Sequence, residues 1–377
     1  MDLGLSEEQE MLKITAREFL GRECPKSLVR DMMQDELGYQ PELWRKMADL
    51  GWMGLALPEK YGGVGGDFFD LAVLLEEMGR ACLPGPFFST VVLGGLAILA
   101  GGTEEQKQVL LPKIADGKAI LTLALMEPNA RYDASGVRTS ATADKDEYVV
   151  SGTKLFVENA HIADYILCVA RTAEGRAPED GLTLFLVDGK STGIKCTLLK
   201  TLAADKQCEI VFEDVRVPIK NVLGEPDQGW AVVEKLLEQA TVAKCAEMVG
   251  GAQAVLEMAV SYAKERVQFE RPIGSFQAIQ HYCADMVADI NGARFVTYKA
   301  AWMVSEGLPA SMEVAIAKVQ TGHAYQRATI LGHQIFGAVG FCMDHDMHLY
   351  YRRAKTGEII FGDGDFYREK VAQELGL

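Results

Sequence analysis

A β-rich stretch at residues 121–227 lies between two helical parts of the chain, and this order constrains the fold more than any other feature. Short runs of β-forming residues occur at 148–150, 165–169, 182–187 and 209–212, with turns of Gly, Asp and Lys between them. Such spacing is typical of a small antiparallel barrel or sandwich. No GxGxxG pattern follows a strand, so the sequence does not support a Rossmann-type nucleotide site.

Helical patterns occupy the chain on both sides of this stretch. Ser6 and Thr103 each open a capping-box pattern, which predicts a helix N-terminus. The run 227–229 marks the second break, and apolar-rich helices are predicted at 236–263 and 314–332. Helices that are apolar on most faces are buried on most faces, which indicates bundle packing and a subunit interface. We therefore predict an α+β chain with an N-terminal α-helical domain (1–120), a central antiparallel β-barrel or sandwich domain (121–227) and a C-terminal four-helix-bundle domain (228–377).

Composition excludes several classes of protein. The 377 residues carry a net charge of −15, whereas a nucleic-acid binder needs clustered Lys and Arg to neutralise phosphates. The N-terminus lacks the regions of a signal peptide, and the longest apolar-rich run, 91–102, is shorter than the ~20 residues that span a membrane. Cysteines and histidines show no metal-type spacing. We expect buried thiols, no metal site and a cytoplasmic location.

Four motifs carry more information together than singly. They are Pro58–Gly63 (PEKYGG), Phe212–Pro218 (FEDVRVP), Arg266–Gln277 (RVQFERPIGSFQ) and Gln334–Gly340 (QIFGAVG). Each alone is a weak to moderate signal. In this order and spacing they resemble the acyl-CoA dehydrogenase family along essentially the whole chain.

The resemblance implies a helical–β–helical subunit, FAD held between subunits, a tetramer, and electron-transfer flavoprotein as electron acceptor. The reaction it implies is oxidation of an acyl-CoA thioester at Cα–Cβ. A base removes a proton from Cα while a hydride leaves Cβ for flavin N5, so base and flavin must hold the substrate from opposite sides. The thioester oxygen gains negative charge and needs donors. In the family these include a backbone N–H of the segment that bears the base.

The resemblance also assigns residues to the adenine and diphosphate of FAD. Arg266 stands where the family has an arginine on the pyrophosphate of a neighbouring subunit, a role that suits a guanidinium. Phe269 is expected to pack on the cofactor, and Gln277, Gln334 and Gly337 to line the adenine and diphosphate. The alternatives are a surface helix charge for Arg266 and a core position for Phe269.

The segments that would face the flavin ring depart from the family pattern. Met126 stands where a threonine is common, Phe156 replaces the usual tryptophan, and Glu158 replaces a usual threonine. Phe156 can still cover the flavin as an aromatic wall. We expect the Glu158 carboxylate to point away, so that backbone N–H groups here, including that of Val157, bind the flavin. Asp363 stands where a threonine usually contacts the cofactor.

The usual catalytic carboxylate is missing near the C-terminus. In the common form of the family it precedes a glycine, and that position is Phe361, which cannot accept a proton. Some members carry the base on the first long helix of the C-terminal domain, and that position is Ala240. We expect Tyr132, Ile360 and Phe361 to line a pocket for the acyl group, bulky or cyclic in the case of Phe361.

Glu247 is the candidate for a relocated base. Seven residues turn a helix by ~700°, which places Glu247 ~20° from Ala240 and ~10 Å further along the helix. Small residues on that face, among them Gly250 and Gly251, predict the close approach of a ligand or a helix. The alternative is a structural ion pair between Lys244 and Glu247. Asp363 and Asp365 are further candidates, with turn formation as their alternative.

The sequence is consistent with three functions. The first is an FAD-dependent dehydrogenase with a relocated base, similar to the branch that acts on steroid side-chain, dicarboxylic or alicyclic acyl-CoAs, often as α2β2 tetramers. The second is a non-catalytic FAD-binding partner subunit of a heteromeric dehydrogenase. The third is a redox-neutral elimination on an acyl-CoA, for which the sequence offers no positive mark.

Overall fold

The structure is a computed structural model that describes residues 4–377. The chain forms two compact units, each built from separate segments. The helical unit contains the segment ending at Arg30, Phe68–Leu83 and Thr241–Leu377, and the sheet unit contains Asp31–Asp67 and Pro84–Ala240. Among residues 4–377, no helix is both long and apolar enough to cross a membrane.

The helices confirm the predicted helical parts on both sides of the sheet. In chain order they are α1 (Glu7–Glu23), α2 (Lys26–Gln34), α3 (Pro41–Asp49), α4 (Phe68–Ala81), α5 (Leu96–Gly101), α6 (Glu104–Ala115), α7 (Trp230–Glu265), α8 (Gln277–Ser305), α9 (Ser311–Phe336), α10 (Met347–Ile359) and α11 (Gly364–Glu374). A π-helical segment, Phe88–Gly95, precedes α5. The helix α7 begins directly after the predicted break at 227–229.

The strands include all four runs that were predicted from the sequence. They are β1 (Leu121–Ala124), β2 (Ser140–Asp144), β3 (Glu147–Glu158), β4 (Tyr165–Arg171), β5 (Leu182–Asp188), β6 (Ile194–Leu198), β7 (Gln207–Pro218) and β8 (Val222–Leu223), with a separate hairpin of β9 (Val267–Gln268) and β10 (Arg271–Pro272). The first eight form one sheet in the order β6-β7-β3-β2-β4-β5-β8, with β1 on β4.

The sheet is antiparallel in most of its pairings, as predicted, but β4 pairs parallel with β1 and, at one residue pair, with β2. Strand β1 pairs parallel with β4, so the sheet is mixed. Two strands intervene between β1 and β4 in the sequence, and a connection of that length allows two neighbouring strands to run in the same direction. The other extended pairings, such as β3 with β7 and β4 with β5, are antiparallel as predicted.

Both predicted capping boxes are present. At the start of α6, the Gln106 backbone N–H donates to Thr103 Oγ1 at 3.2 Å, and the Thr103 N–H donates to Gln106 Oε1 at 2.9 Å. The Gln106 amide also donates to the carbonyls of Lys220 and Val222 at 2.9 and 3.0 Å. One side chain therefore starts α6 and fixes it to the chain around β8. At α1, Ser6 and Gln9 make the same reciprocal pair.

Buried carboxylates of α4 organise the helical unit. Glu76 is 2 % exposed and accepts hydrogen bonds from Lys13 of α1, at 2.9 Å, and from Tyr298 of α8, at 2.7 Å. Arg294 of α8 adds a third contact at 3.2 Å. Burial opposes ionisation of Glu76, but the charges of Lys13 and Arg294 and the Tyr298 hydroxyl lower its pKa. These three contacts to the buried Glu76 carboxylate thus fix α4 between α1 and α8.

Candidate active site

In the sheet unit, a buried ion pair fixes the loop that follows β1. Lys154 of β3 is fully buried and contacts Glu127 at 2.7 Å, and Glu127 is 4 % exposed. The same carboxylate accepts the backbone N–H groups of Arg138 and Thr139 at 2.8 and 2.9 Å. Burial opposes ionisation of Glu127, but the Lys154 charge and these donors lower its pKa. Met126, the neighbouring cofactor candidate, accepts the Leu155 N–H at 2.8 Å through its carbonyl.

Phe156 lies at an irregularity of β3. The register with β7 shifts between Lys154 and Val157, and Phe156 has a φ of +55°. Left-handed backbone costs energy for a residue with a β-carbon, and such residues cluster at functional sites. The bulge turns the Phe156 ring to the surface, where it is 52 % exposed, whereas Val157 is buried. The Glu158 carbonyl accepts the Thr122 hydroxyl at 2.5 Å.

In the helical unit, the β9–β10 hairpin carries a second strained aromatic residue. Phe269 and Glu270 form its two-residue turn with φ of +51° and +65°. The Phe269 ring is 84 % exposed, so the core alternative for this residue is wrong. The Arg271 guanidinium lies over the Phe276 ring at 4.1 Å, and the rings of Phe269 and Phe276 meet edge to face at 6.0 Å. The hairpin thus exposes the Phe269 ring, while Phe276 and Arg271 pack beneath it.

The polar residues assigned to the adenine and diphosphate of FAD are exposed donors. Arg266, Gln277 and Gln334 all lie at the surface, and within residues 4–377 their side chains form no hydrogen bond or ion pair. At Gly337, φ is +62° and a β-carbon would meet no atom within 4 Å. A guanidinium and two amides that have no partner among the described residues are suitable donors for an anionic diphosphate. The residues present therefore fit FAD.

The segment that contains Phe361 is a strained turn between α10 and α11. Phe361 has a φ of +60° and is half-buried, and Gly362 follows with a φ of +118°. The Tyr367 hydroxyl donates to the Phe361 carbonyl at 3.0 Å and lies 2.8 Å from the Thr241 hydroxyl of α7. Asp363 caps α11, where its side chain accepts the Phe366 N–H at 2.9 Å. The expected tight turn at 362–365 is therefore a helix N-terminus.

Two residues that hold the turn at Phe361 in place, Tyr367 and Lys318, were not identified from the sequence. Tyr367 belongs to α11, and Lys318 of α9 donates to the carbonyls of Gly357 and Ile360 at 2.8 and 2.5 Å. A lysine in an otherwise apolar helical run was a signal that could have identified Lys318. Tyr132 lies in the loop of the sheet unit and is half-buried.

Glu247 forms the ion pair that was the alternative to its catalytic role. Its carboxylate lies 2.6 Å from Lys244 Nζ, and the two side chains are 24 % and 14 % exposed. The neighbouring glycines lie in close contact with other helices of the protein. A β-carbon on Gly250 would stand 1.7 Å from the Glu76 carbonyl of α4, and one on Gly251 would stand 2.4 Å from the Tyr325 hydroxyl. The small residues of this face therefore allow helix packing.

The comparisons with known proteins agree on one family. Sequence models of the N-terminal, middle and C-terminal domains of acyl-CoA dehydrogenases match residues 6–118, 122–215 and 227–376. The probable acyl-CoA dehydrogenase YngJ of Bacillus subtilis (strain 168) is 35 % identical over 381 residues, covering 100 % of both chains.

Solved structures give the same result. Butyryl-CoA dehydrogenase from Megasphaera elsdenii is 31 % identical with a TM-score of 0.93, covering 100 % of both chains. The ChsE4-ChsE5 complex from Mycobacterium tuberculosis is 28 % identical with a TM-score of 0.92, covering 100 % of this chain and 99 % of that chain. The chain therefore belongs to the acyl-CoA dehydrogenase family, as an FAD-dependent flavoprotein oxidoreductase that acts on an acyl-CoA thioester.

Proposed function

We propose that this chain dehydrogenates a bulky, cyclic or dicarboxylic acyl-CoA and that Glu247 is the base that removes the α-proton. The observation that carries this proposal is a partly exposed carboxylate on α7, the helix that holds the base in some relatives, in a chain with Ala240 and Phe361 at both usual base positions. Lys244 holds the carboxylate in one orientation at 2.6 Å. For a general base, a suitable orientation towards the proton comes before a suitable pKa.

Bound FAD supplies the hydride acceptor of this reaction. We propose that Met126, Phe156, Val157, Glu158 and Asp363 contact the flavin end of the cofactor, and that Arg266, Phe269, Gln277, Gln334 and Gly337 contact the adenine and diphosphate. Tyr132, Ile360 and Phe361 would contact the acyl group, with the Phe361 N–H as donor to the thioester oxygen. The exposed aromatic rings of Phe156 and Phe269 support this assignment, as do the surface amides and guanidinium that lack a partner in the part of the chain that the structure describes. Electron-transfer flavoprotein is the proposed acceptor.

Anaerobic reduction of the bound flavin tests the base. The purified holoprotein is mixed with a panel of aliphatic, dicarboxylic and alicyclic acyl-CoAs, and bleaching of the flavin is followed in time. With the substrate that works, Glu247→Gln should slow reduction by about 10²- to 10⁴-fold while FAD stays bound. Glu257→Gln, a 42 % exposed carboxylate on the same helix, is the matched control and should leave the rate unchanged. An undiminished rate in Glu247→Gln refutes the assignment.

A second candidate is a non-catalytic subunit of an α2β2 dehydrogenase. The Lys244–Glu247 ion pair favours it, because the carboxylate that remains on α7 already has a cationic partner. A solved relative, the ChsE4-ChsE5 complex, combines two differently named chains. The FAD content separates the two candidates: one FAD per chain in a homotetramer that bleaches alone supports the enzyme. One FAD per two chains, with bleaching that requires an unlike chain, supports the partner subunit.

A further inference from the structure

Lys318 of α9 is a buried lysine whose ammonium group binds carbonyls instead of a carboxylate. The residue is 1 % exposed, and Nζ donates to Gly357 O at 2.8 Å and to Ile360 O at 2.5 Å. Within residues 4–377, Lys318 makes no ion pair with a carboxylate. A buried ammonium group with no carboxylate in direct contact is costly, so its presence indicates a role that an apolar side chain could not fill.

The carbonyl of Ile360 belongs to the same peptide group as the N–H of Phe361. No described peptide bond is cis, so this N–H points away from the carbonyl that Lys318 binds. The next peptide is held as well, since the Tyr367 hydroxyl donates to the Phe361 carbonyl at 3.0 Å. Both peptide groups that flank Phe361 are therefore fixed from inside the helical unit, and this fixes the strained φ of +60°.

We propose that Lys318 is a positioning residue that orients and polarises the Ile360–Phe361 peptide, so that the Phe361 N–H binds the thioester oxygen of the substrate. This inference rests on the proposed function. A cation on a carbonyl withdraws electron density from the amide and makes its N–H a stronger donor, as in a chain of hydrogen bonds. A stronger donor stabilises the negative charge that develops on the thioester oxygen when the α-proton leaves.

The environment of Lys318 makes this polarisation dependent on pH. Burial lowers the pKa of Lys318 to about 8. Lys244 of α7 lowers it further, whereas Cys245 of α7, Glu358 of α10 and Asp363 before α11 act in the opposite direction. The ring of Tyr367 also lies nearby, with its centroid 6.0 Å from Nζ. The ammonium charge should therefore be lost as the pH rises through about 8.

Stability should change in the opposite direction over the same range. The ordinary pKa of lysine in this comparison is 10.5, so between pH 8 and pH 10.5 the unfolded chain binds more protons at Lys318 than the folded chain. The free energy of unfolding then rises with pH. A purely structural lysine would thus give a protein whose stability rises with pH and whose rate of flavin reduction does not depend on the lysine charge. A polarising lysine gives the same rise in stability together with a slower rate of flavin reduction at high pH.

Infrared spectroscopy of a bound product-class ligand reads the polarisation directly. Crotonyl-CoA and cyclohex-1-enecarbonyl-CoA, each labelled with ¹³C at the thioester carbonyl, are bound to the holoprotein with its flavin oxidised. In the parent protein, the carbonyl stretch should lie at lower frequency at pH 7 and rise as the pH passes about 8. In Lys318→Gln, which keeps a donor without a charge, the frequency should be high at both pH values.

Rates and a second variant complete the test. The ratio of flavin reduction rates, parent over Lys318→Gln, should fall from about tenfold at pH 7 to near one at pH 9.5. Lys318→Met removes the donor too, and thermal unfolding shows whether it folds. A carbonyl frequency that is the same in parent and Lys318→Gln overturns the positioning role. A normal frequency shift without flavin reduction by any acyl-CoA overturns the proposed dehydrogenation alone. Failure of both labelled ligands to bind overturns both.

Discussion

Gly79 of α4 lies so close to Glu247 of α7 that a β-carbon on the glycine would stand 1.9 Å from the Glu247 backbone carbonyl oxygen. The contact is reciprocal, since Gly250 of α7 meets the backbone of α4 in the same way. The two helices therefore cross at backbone contact distance. This crossing places Glu247 in the helical unit, and no larger residue can occupy either glycine position without moving a helix.

Gly79→Ala should therefore destabilise the protein by about 3 kcal/mol or more, since the added methyl group meets a backbone atom that cannot turn aside. The measurement is the thermal unfolding midpoint together with the yield of FAD-loaded protein. Gly292→Ala is the control. Gly292 lies inside α8 with nothing within 4 Å of a β-carbon, so alanine there should stabilise by about 0.5–1 kcal/mol. Equal midpoints for the two variants would contradict the close crossing.

Removal of the Glu127 charge should strongly destabilise the sheet unit. In Glu127→Gln, the fully buried Lys154 ammonium loses its counter-charge, and breaking a buried pair in this way costs about 3–5 kcal/mol. The double variant Glu127→Gln, Lys154→Met removes the stranded charge and should recover part of the loss. If the single and double variants are equally unstable, the ion pair is not the cause.

The same pair gives a defined response to acid. The pKa of Glu127 is lowered from 4.5 in the folded state, so its contribution to stability is complete above pH 4.5. It is lost as the pH falls through the lower folded value, because the unfolded carboxylate binds the proton first. Unfolding midpoints between pH 6 and pH 3 should therefore fall less steeply in the Glu127→Gln, Lys154→Met double variant than in the parent. Parallel curves would exclude Glu127 as an acid-sensitive group.

Features that depend on neighbouring residues were predictable from the sequence, and features that depend on distant contacts were not. Both capping boxes, the start of α7 and four strands follow from short patterns. Short patterns do not predict the parallel pairing of β1 with β4. Nor do they predict the hydrogen bond from Lys318 to the Ile360 carbonyl, 42 positions away. The backbone strain at Phe156 and Phe361 was also hidden, because a positive φ is signalled by glycine and not by phenylalanine. The ion pair at Glu247 was visible as an i, i+3 spacing, but spacing does not show whether the paired carboxylate also acts as a base.

The capping box of α6 supports a prediction about local stability. Thr103→Ala should cost about 1 kcal/mol, because it removes the side-chain cap of one backbone N–H. Gln106→Ala should cost more, since it also leaves the Lys220 and Val222 carbonyls without their donor, at about 1–3 kcal/mol for buried groups. Hydrogen–deuterium exchange of α6 amides measures both. A smaller effect of Gln106→Ala would show that these carbonyls have other partners.

Phe361→Glu should create a base where the chain lacks one. The turn at Phe361 is held through its backbone by Tyr367, and that contact does not depend on the side chain. Glutamate pays about the same cost as phenylalanine for the left-handed backbone, so the turn should persist. In the Glu247→Gln background, Phe361→Glu should raise the rate of flavin reduction by acyl-CoA by about 10²-fold. Phe361→Gln matches the shape without the proton acceptor and should not. Equal rates for the two would mean that residue 361 does not face the substrate α-carbon, which would also remove Phe361 from the proposed acyl site.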